Sequence, residues 1–171
     1  VNYHYWEPTH LIWDEMKEMS DSGVMDIESH TYDLHYYASN GTKDIPAASG
    51  RIKIDGKLES DNAYVKRVKD DFKKSRELIE KNTGKRVRLI SYPYGVGNET
   101  TSKLAAEVGY EATFTIKDGV MRHQDDIMSG KRVKVKGTYT GFDIARNIYK
   151  DAGINAKIPF YDLEKHWAGP D

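Results

Sequence analysis

Strand-like and helix-like segments alternate along this chain, and that alternation restricts its fold more than any other feature. A first helix is expected to start at Thr9, as its cap, with Ile12, Met16 and Met19 on one stripe and Ser22-Gly23 as its stop. Residues 24–29 read as a short strand. Residues 36–60 are rich in Gly, Ser, Asn and Lys, with turn signals at Asn40-Gly41 and Asp55-Gly56. They read as a long excursion with a small hairpin at 51–58, and long loops inside a compact domain usually serve function. A second helix runs from Asp61 or Asn62 to about Asn82. Its apolar face is Ala63, Val65, Val68, Phe72, Leu78 and Ile79, and Thr83-Gly84 closes it. Residues 87–92 form a strand ending at Pro93-Tyr94-Gly95. Asn98 then caps a helix containing Leu104, Ala105 and Val108, which Gly109 stops. Further strands are expected at 110–116 and 132–135, and a last helix at 142–150. Strands separated by helices imply βα units, hence an α/β class with a mainly parallel sheet. No repeat or second domain is visible, so residues 1–171 read as one domain, with the segment after Gly153 (Pro159, Phe160, Tyr161, Trp167) packing as an irregular arm.

Charge and composition narrow the functional classes. The 26 Lys+Arg balance 27 Asp+Glu, which leaves no basic surface to argue for nucleic acid. No run of apolar residues is long enough for a transmembrane helix. The absence of cysteine excludes disulfides, thiolate metal sites and cysteine nucleophiles. It suits a secreted bacterial protein and a cytosolic one alike. The chain starts at Val1 without a signal peptide, as a processed or shortened chain would. Twelve Tyr and three Trp offer aromatic faces of the kind that suit sugar rings, although Tyr is also an ordinary core and surface residue.

Two places carry chemistry. His30 and His35 stand just past the strand at 24–29, in His30-Thr31-Tyr32-Asp33-Leu34-His35. On a helix this spacing would leave the rings about 140° apart, but on a loop the two imidazoles can converge on one metal ion. Loops at the C-terminal ends of parallel strands are where barrel and open-sheet enzymes keep their active sites. The plainer reading is two surface or core histidines. The second place is Ser91-Tyr92-Pro93-Tyr94-Gly95, also at a strand end. Pro fixes the backbone and Gly admits conformations other residues resist, so this turn can aim a backbone N–H and a tyrosine at a ligand. A strand-to-helix turn with a buried Tyr is the plainer alternative.

Taken together, the two motifs resemble the polysaccharide deacetylase family, carbohydrate esterase family four. His30-Thr31 with His35 matches its histidine motif, and Pro93-Tyr94-Gly95 matches its Pro-Tyr-Gly motif. The helix between them and Gly109-Tyr110-Glu111-Ala112-Thr113-Phe114 also look like that family. The wording around His30 is most similar to the branch that trims biofilm poly-N-acetylglucosamine. The resemblance covers roughly residues 9–150. It implies a distorted (β/α) barrel and a divalent metal, commonly zinc, held by two His and one Asp. It makes His30 and His35 metal ligands and has Thr31 steady the loop through a hydrogen bond. Pro93 and Tyr94 become substrate-binding residues, and the Tyr94 N–H a catalytic oxyanion donor. A metal with an open position acidifies its water and polarises the acetyl carbonyl, and a preformed N–H stabilises the oxyanion.

Three departures stand out. The family's first motif, an Asp-Asp pair supplying the base and third ligand, is not found. Asp70-Asp71 lies in a helix, and Asp125-Asp126 comes too late. Ser91 stands where many relatives have an Arg. The general-acid His of the late domain has no counterpart in residues 132–136, and His123 does not match it. The expectation is therefore a fragment of the fold truncated at its N-terminal side, with an open side that a partner chain could cover. The reading is an extracellular or cell-surface N-deacetylase of an N-acetylglucosamine polymer, with little activity in this chain alone. The alternatives are a non-catalytic glycan-binding or scaffold protein and, last, an unrelated metal-binding α/β protein.

Overall fold

A computed structural model describes residues 10–154. Helix α1 (Trp13–Asp21) is opened by Glu15, whose carboxylate accepts the Ile12 N–H at 3.0 Å, and Gly23 turns left-handed just beyond it. The expected cap, Thr9, lies outside the described residues. Strands β1 (Tyr37–Ser39) and β2 (Asp44–Pro46) form an antiparallel hairpin around Asn40-Gly41, and β3 (Lys53–Ile54) and β4 (Lys57–Leu58) form a second around Asp55-Gly56. The hairpin expected at 51–58 is therefore present. The one at 37–46 was hidden in the excursion, because three-residue strands leave too little periodicity to read.

Helix α2 (Asp61–Thr83) is the spine of the molecule. Ser60 caps it, its side chain accepting the Ala63 N–H at 3.2 Å, and left-handed Gly84 ends it. Tyr64, Val68, Phe72 and Ile79 face the core, joined on the same stripe by Asp71, Ser75 and Thr83. The expected face was rotated: Ala63 and Val65 point outward, and the polar members of the buried stripe do not show in an apolar pattern.

Strands β5 (Leu89–Ser91), β6 (Ala112–Asp118) and β7 (Gly130–Arg132) make one parallel sheet in that order, as βα connections require. Helix α3 (Glu99–Val108), capped by Asn98 and closed by left-handed Gly109, joins β5 to β6. Helix α4 (Gly141–Asp151), capped by Thr140, follows β7. The core fills the space between α2, α3 and the sheet, with Phe72, Ile90, Tyr92, Leu104 and Ala105 at its centre. Hydroxyls tie the sheet's far edge: Thr113 donates to the Met128 carbonyl and Thr115 to that of Gly130. The last strand starts at Gly130, two residues before the expected 132–135, and the segment after Gly153 lies outside the described residues apart from Ile154.

The expected strand at 24–29 is reduced to a single parallel bridge between Ser29 and Ile90. Val24 (85 %) and Met25 (48 %) are exposed, so nothing among the described residues uses their strand-forming side chains. Instead of a ladder, the Glu28 carboxylate accepts the N–H groups of Arg88 and Leu89 at 2.9 and 2.8 Å. The bridge still places residue 29 beside β5, on the side opposite β6.

Candidate active site

The site grows from that bridge. Ser29 N donates to the Leu89 carbonyl at 3.1 Å, and Ser91 N donates to the Ser29 carbonyl at 2.9 Å. His30 follows at once, and its Nδ1 lies 2.8 Å from the Ser91 carbonyl oxygen. A carbonyl can only accept, so Nδ1 carries the proton and Nε2 keeps its lone pair for a ligand. Metal-ligating histidines commonly show this arrangement, the second nitrogen fixing ring and tautomer.

The chain then turns sharply. Thr31 is left-handed (φ 74°), a conformation that costs a β-branched residue of order 1–3 kcal/mol and persists only where its surroundings enforce it. The bond Thr31 contributes is from its backbone N–H to Ser29 Oγ at 3.3 Å, rather than from its own hydroxyl. Leu34 is buried and anchors the loop in the core. Asp71 of α2 accepts Tyr32 N–H at 3.0 Å and Asp33 N–H at 2.7 Å, one on each carboxylate oxygen. Burial pushes the Asp71 carboxyl above the ordinary range, and these two N–H groups pull it back only in part. The loop delivers the His35 ring 4.8 Å from the His30 ring, at 69° to it. Both rings are exposed.

The second motif meets the first on the same rim. Pro93 is fully buried, so its ring braces the turn, and the surface a ligand could touch comes from Tyr94. Tyr94 is left-handed (φ 57°), as is Gly95 (φ 68°). The Tyr94 ring lies 4.7 Å from that of His35 and 4.4 Å from that of Tyr37, and its hydroxyl donates to the His35 carbonyl at 3.3 Å. The Tyr94 N–H has no acceptor among the described residues. Tyr36 (41 %) and Tyr37 (54 %) extend the exposed aromatic surface onto β1. Sequence reasoning missed Tyr37 and Asp71. The Tyr36-Tyr37 pair directly after His35 was the available signal for the first. Asp71 was weighed only as half of the Asp70-Asp71 pair, and nothing local marked it as a partner of the histidine loop.

The other carboxylates considered from the sequence are engaged elsewhere. Asp70 is exposed and paired with Lys66. Asp125 pairs with Lys131 at 2.9 Å, and Asp126 caps the Met128 N–H at 2.9 Å. His123 lies exposed between β6 and β7, and Ser91 contributes its carbonyl to His30. Among the described residues no third His, Asp or Glu joins the histidine pair. The pair thus fits the imidazole half of a divalent-cation site, with His30 Nε2 turned away from the Ser91 contact and no acidic half beside it among the described residues.

Fold and rim together define an α/β protein whose polar and aromatic cluster sits at the C-terminal end of β5 and of the Ser29 bridge beside it. The sequence profile of the polysaccharide deacetylase family matches residues 1–113, and the chain belongs to that family. A poly-β-1,6-N-acetyl-D-glucosamine N-deacetylase of Staphylococcus epidermidis is 29% identical over 104 residues, covering 61% of this chain and 31% of its own. The enzyme of the same name from Staphylococcus aureus is 28% identical over the same length. Among solved structures, the deacetylase domain of BpsB from Bordetella bronchiseptica superposes with a TM-score of 0.69 at 33% identity, over 72% of this chain and 48% of that one. A de-N-acetylase from Aggregatibacter actinomycetemcomitans gives 0.71 at 26% identity, over 81% and 53%. The chain thus spans about a third of the length of the curated relatives it matches and about half of these structures.

Proposed function

We propose that this chain carries the histidine half of a divalent-metal site and the oxyanion-side turn of a polysaccharide N-deacetylase acting on an N-acetylglucosamine polymer. The observation that carries the reading is the convergence of three side chains from two separate segments, residues 30–35 and 91–95. His30, tautomer fixed on the Ser91 carbonyl, stands 4.8 Å from His35, and Tyr94 packs against His35 at 4.7 Å. His30 Nε2 and the His35 ring would hold the cation, with zinc the first candidate because it accepts neutral imidazole. A bound divalent cation would supply Lewis-acid activation of water and of the acetyl carbonyl. The free Tyr94 N–H, fixed by its left-handed backbone, would donate to the oxygen that gains charge when an amide is attacked. The faces of Tyr37 and Tyr94, with Pro93 bracing the turn, would lie against sugar rings.

Deacetylation also needs a general base, and no carboxylate among the described residues stands beside the pair. We infer that the base and third ligand belong to a part of the protein outside residues 10–154, which fits a chain covering 31% of its curated relative's length. Such a substrate would put the protein outside the cell or at its surface, where more of the same protein or a partner chain would complete the site. A non-catalytic glycan-binding role is the second reading, favoured by the same missing carboxylate.

Titration calorimetry with Zn²⁺ and acetate release from N-acetylglucosamine oligomers test both readings. The wild-type chain is expected to bind one cation, and His30→Ala or His35→Ala to weaken binding by more than the 10–100-fold typical of losing an outer partner. The longer protein is expected to release acetate and this chain alone to release little. Robust turnover by the 171 residues, abolished by His30→Ala, would show that a base lies within them after all. Oligomer binding without turnover by the longer protein would select the glycan-binding reading.

A further inference from the structure

Two carboxylates among the described residues are buried, Glu59 and Asp71. Glu59 is paired with Arg67 at 2.5 Å. Asp71 has no ion pair among the described residues. It spends both oxygens on two consecutive backbone amides, Tyr32 and Asp33, which lie midway between His30 and His35. A buried carboxylate with no ion-pair partner is an expensive choice for a helix face that apolar residues could fill. Its neighbours show how firmly it is held. Phe72 beside it is fully buried, and Ser75, one turn on, shares a 2.7 Å hydrogen bond with Ser29 at the start of the same loop. Lys74 of the same helix sits 3.8 Å over the Tyr32 ring. Helix α2 therefore grips residues 29, 32 and 33, leaving left-handed Thr31 no freedom to relax.

We propose that Asp71 is the positioning residue of the paired-imidazole site: by clamping the Tyr32 and Asp33 N–H groups it sets the separation of the His30 and His35 rings, and with it the affinity for a divalent cation. The cation itself rests on the function proposed above; the clamp does not. His30 is fastened to β5 through Ser91 and His35 rests against Tyr94, so the path of residues 31–34 between these two ties is what Asp71 governs. Asparagine cannot replace Asp71. Its amide offers one acceptor oxygen, and its NH₂ would face an N–H donor to donor.

The test compares Asp71→Asn with Val68→Ala, a core truncation on the same helix that touches neither amide. Two readouts are taken where both variants are folded: Co²⁺ affinity from its visible absorption, and NOE contacts between the His30 and His35 rings without metal. Asp71→Asn is expected to weaken Co²⁺ binding tenfold or more and to reduce the ring contacts, while Val68→Ala leaves affinity within twofold of wild type. If Asp71→Asn does not fold, Asp71→Glu replaces it. That variant keeps both acceptors at the wrong reach and is expected to lose affinity and ring contacts to a smaller extent, still beyond Val68→Ala. Affinity and ring contacts unchanged in the Asp71 variant, or lost equally in Val68→Ala, overturn the proposal. Failure of the wild-type chain to bind Co²⁺ would count against the metal reading alone, and the ring contacts would still decide on Asp71.

Discussion

Gly95→Ala should destabilise the protein well beyond the usual cost of a turn substitution. Gly95 lies at φ 68°, where an L-residue meets its own carbonyl, at roughly 1–2 kcal/mol. A Cβ there would also stand 2.5 Å from Ile116 Cγ1 and Cγ2 and 2.6 Å from Ile116 N. The Ile116 side chain is 62 % exposed and can swing away, but its backbone N belongs to β6 and cannot move without disturbing the sheet. Overpacking of this kind costs a further 1–3 kcal/mol or so, for a total of about 2–5 kcal/mol. Gly56→Ala supplies the control: it shares the left-handed backbone (φ 78°) but has nothing within 4 Å of its Cβ position, so it should cost only the first part. Urea denaturation followed by circular dichroism separates the two. With a slope of roughly 1–3 kcal/mol per molar urea, the midpoint of Gly95→Ala should fall by about 0.7 M or more at unchanged slope. Equal losses in the two variants would refute the claim that the Tyr94 turn is packed against the β6 backbone.

Two further outcomes concern pH. Burial alone would raise the Glu59 carboxyl, but the hydrogen bond from Arg67 and that from the Ile52 N–H outweigh it and hold it below its ordinary value. A lowered carboxylate adds stability above its unfolded pKa and loses it as pH falls through the folded value, so wild type should lose stability more steeply than Glu59→Gln below about pH 4, as read from denaturation midpoints. Burial pushes the Tyr110 phenol up to about 12, its hydroxyl donating to the Phe72 carbonyl at 3.0 Å. The folded state then holds that proton more tightly than the unfolded one. Stability should fall as pH rises from about 10 towards the folded value, and the fall should be smaller in Tyr110→Phe, measured by alkaline thermal melts.

What the sequence disclosed follows from where the information sits. Helices α2 and α3 were legible because their stops are local chemistry: Gly84 and Gly109 both adopt the left-handed conformation their positions suggested. The parallel sheet followed from the order of elements. Residues 24–29 misled because β-branched and apolar residues only predict a strand if a neighbour exists to pair with, and here pairing stops at Ser29. At the site, the two histidines and the Pro-Tyr-Gly turn stood out as motifs. Tyr37 and Asp71 did not, because their part in the site comes from contacts 57 and 38 or more positions away that no spacing rule encodes.

The histidine pair is therefore not a property of the stretch that contains it. Residues 28, 29 and 30 are each fastened to the segment 88–91, through the Glu28 carboxylate, the Ser29 backbone and His30 Nδ1. Residues 32 and 33 are fastened to α2 by Asp71, and His35 to the turn after β5 by the Tyr94 hydroxyl and ring. Between the first set of ties and the second lies one strained residue, Thr31. A peptide of residues 24–37 would keep both imidazoles and lose every one of these ties. Its rings would sample the broad distribution of a short flexible loop, and an ion would have to bear the ordering entropy that β5, α2 and Tyr94 bear in the folded chain.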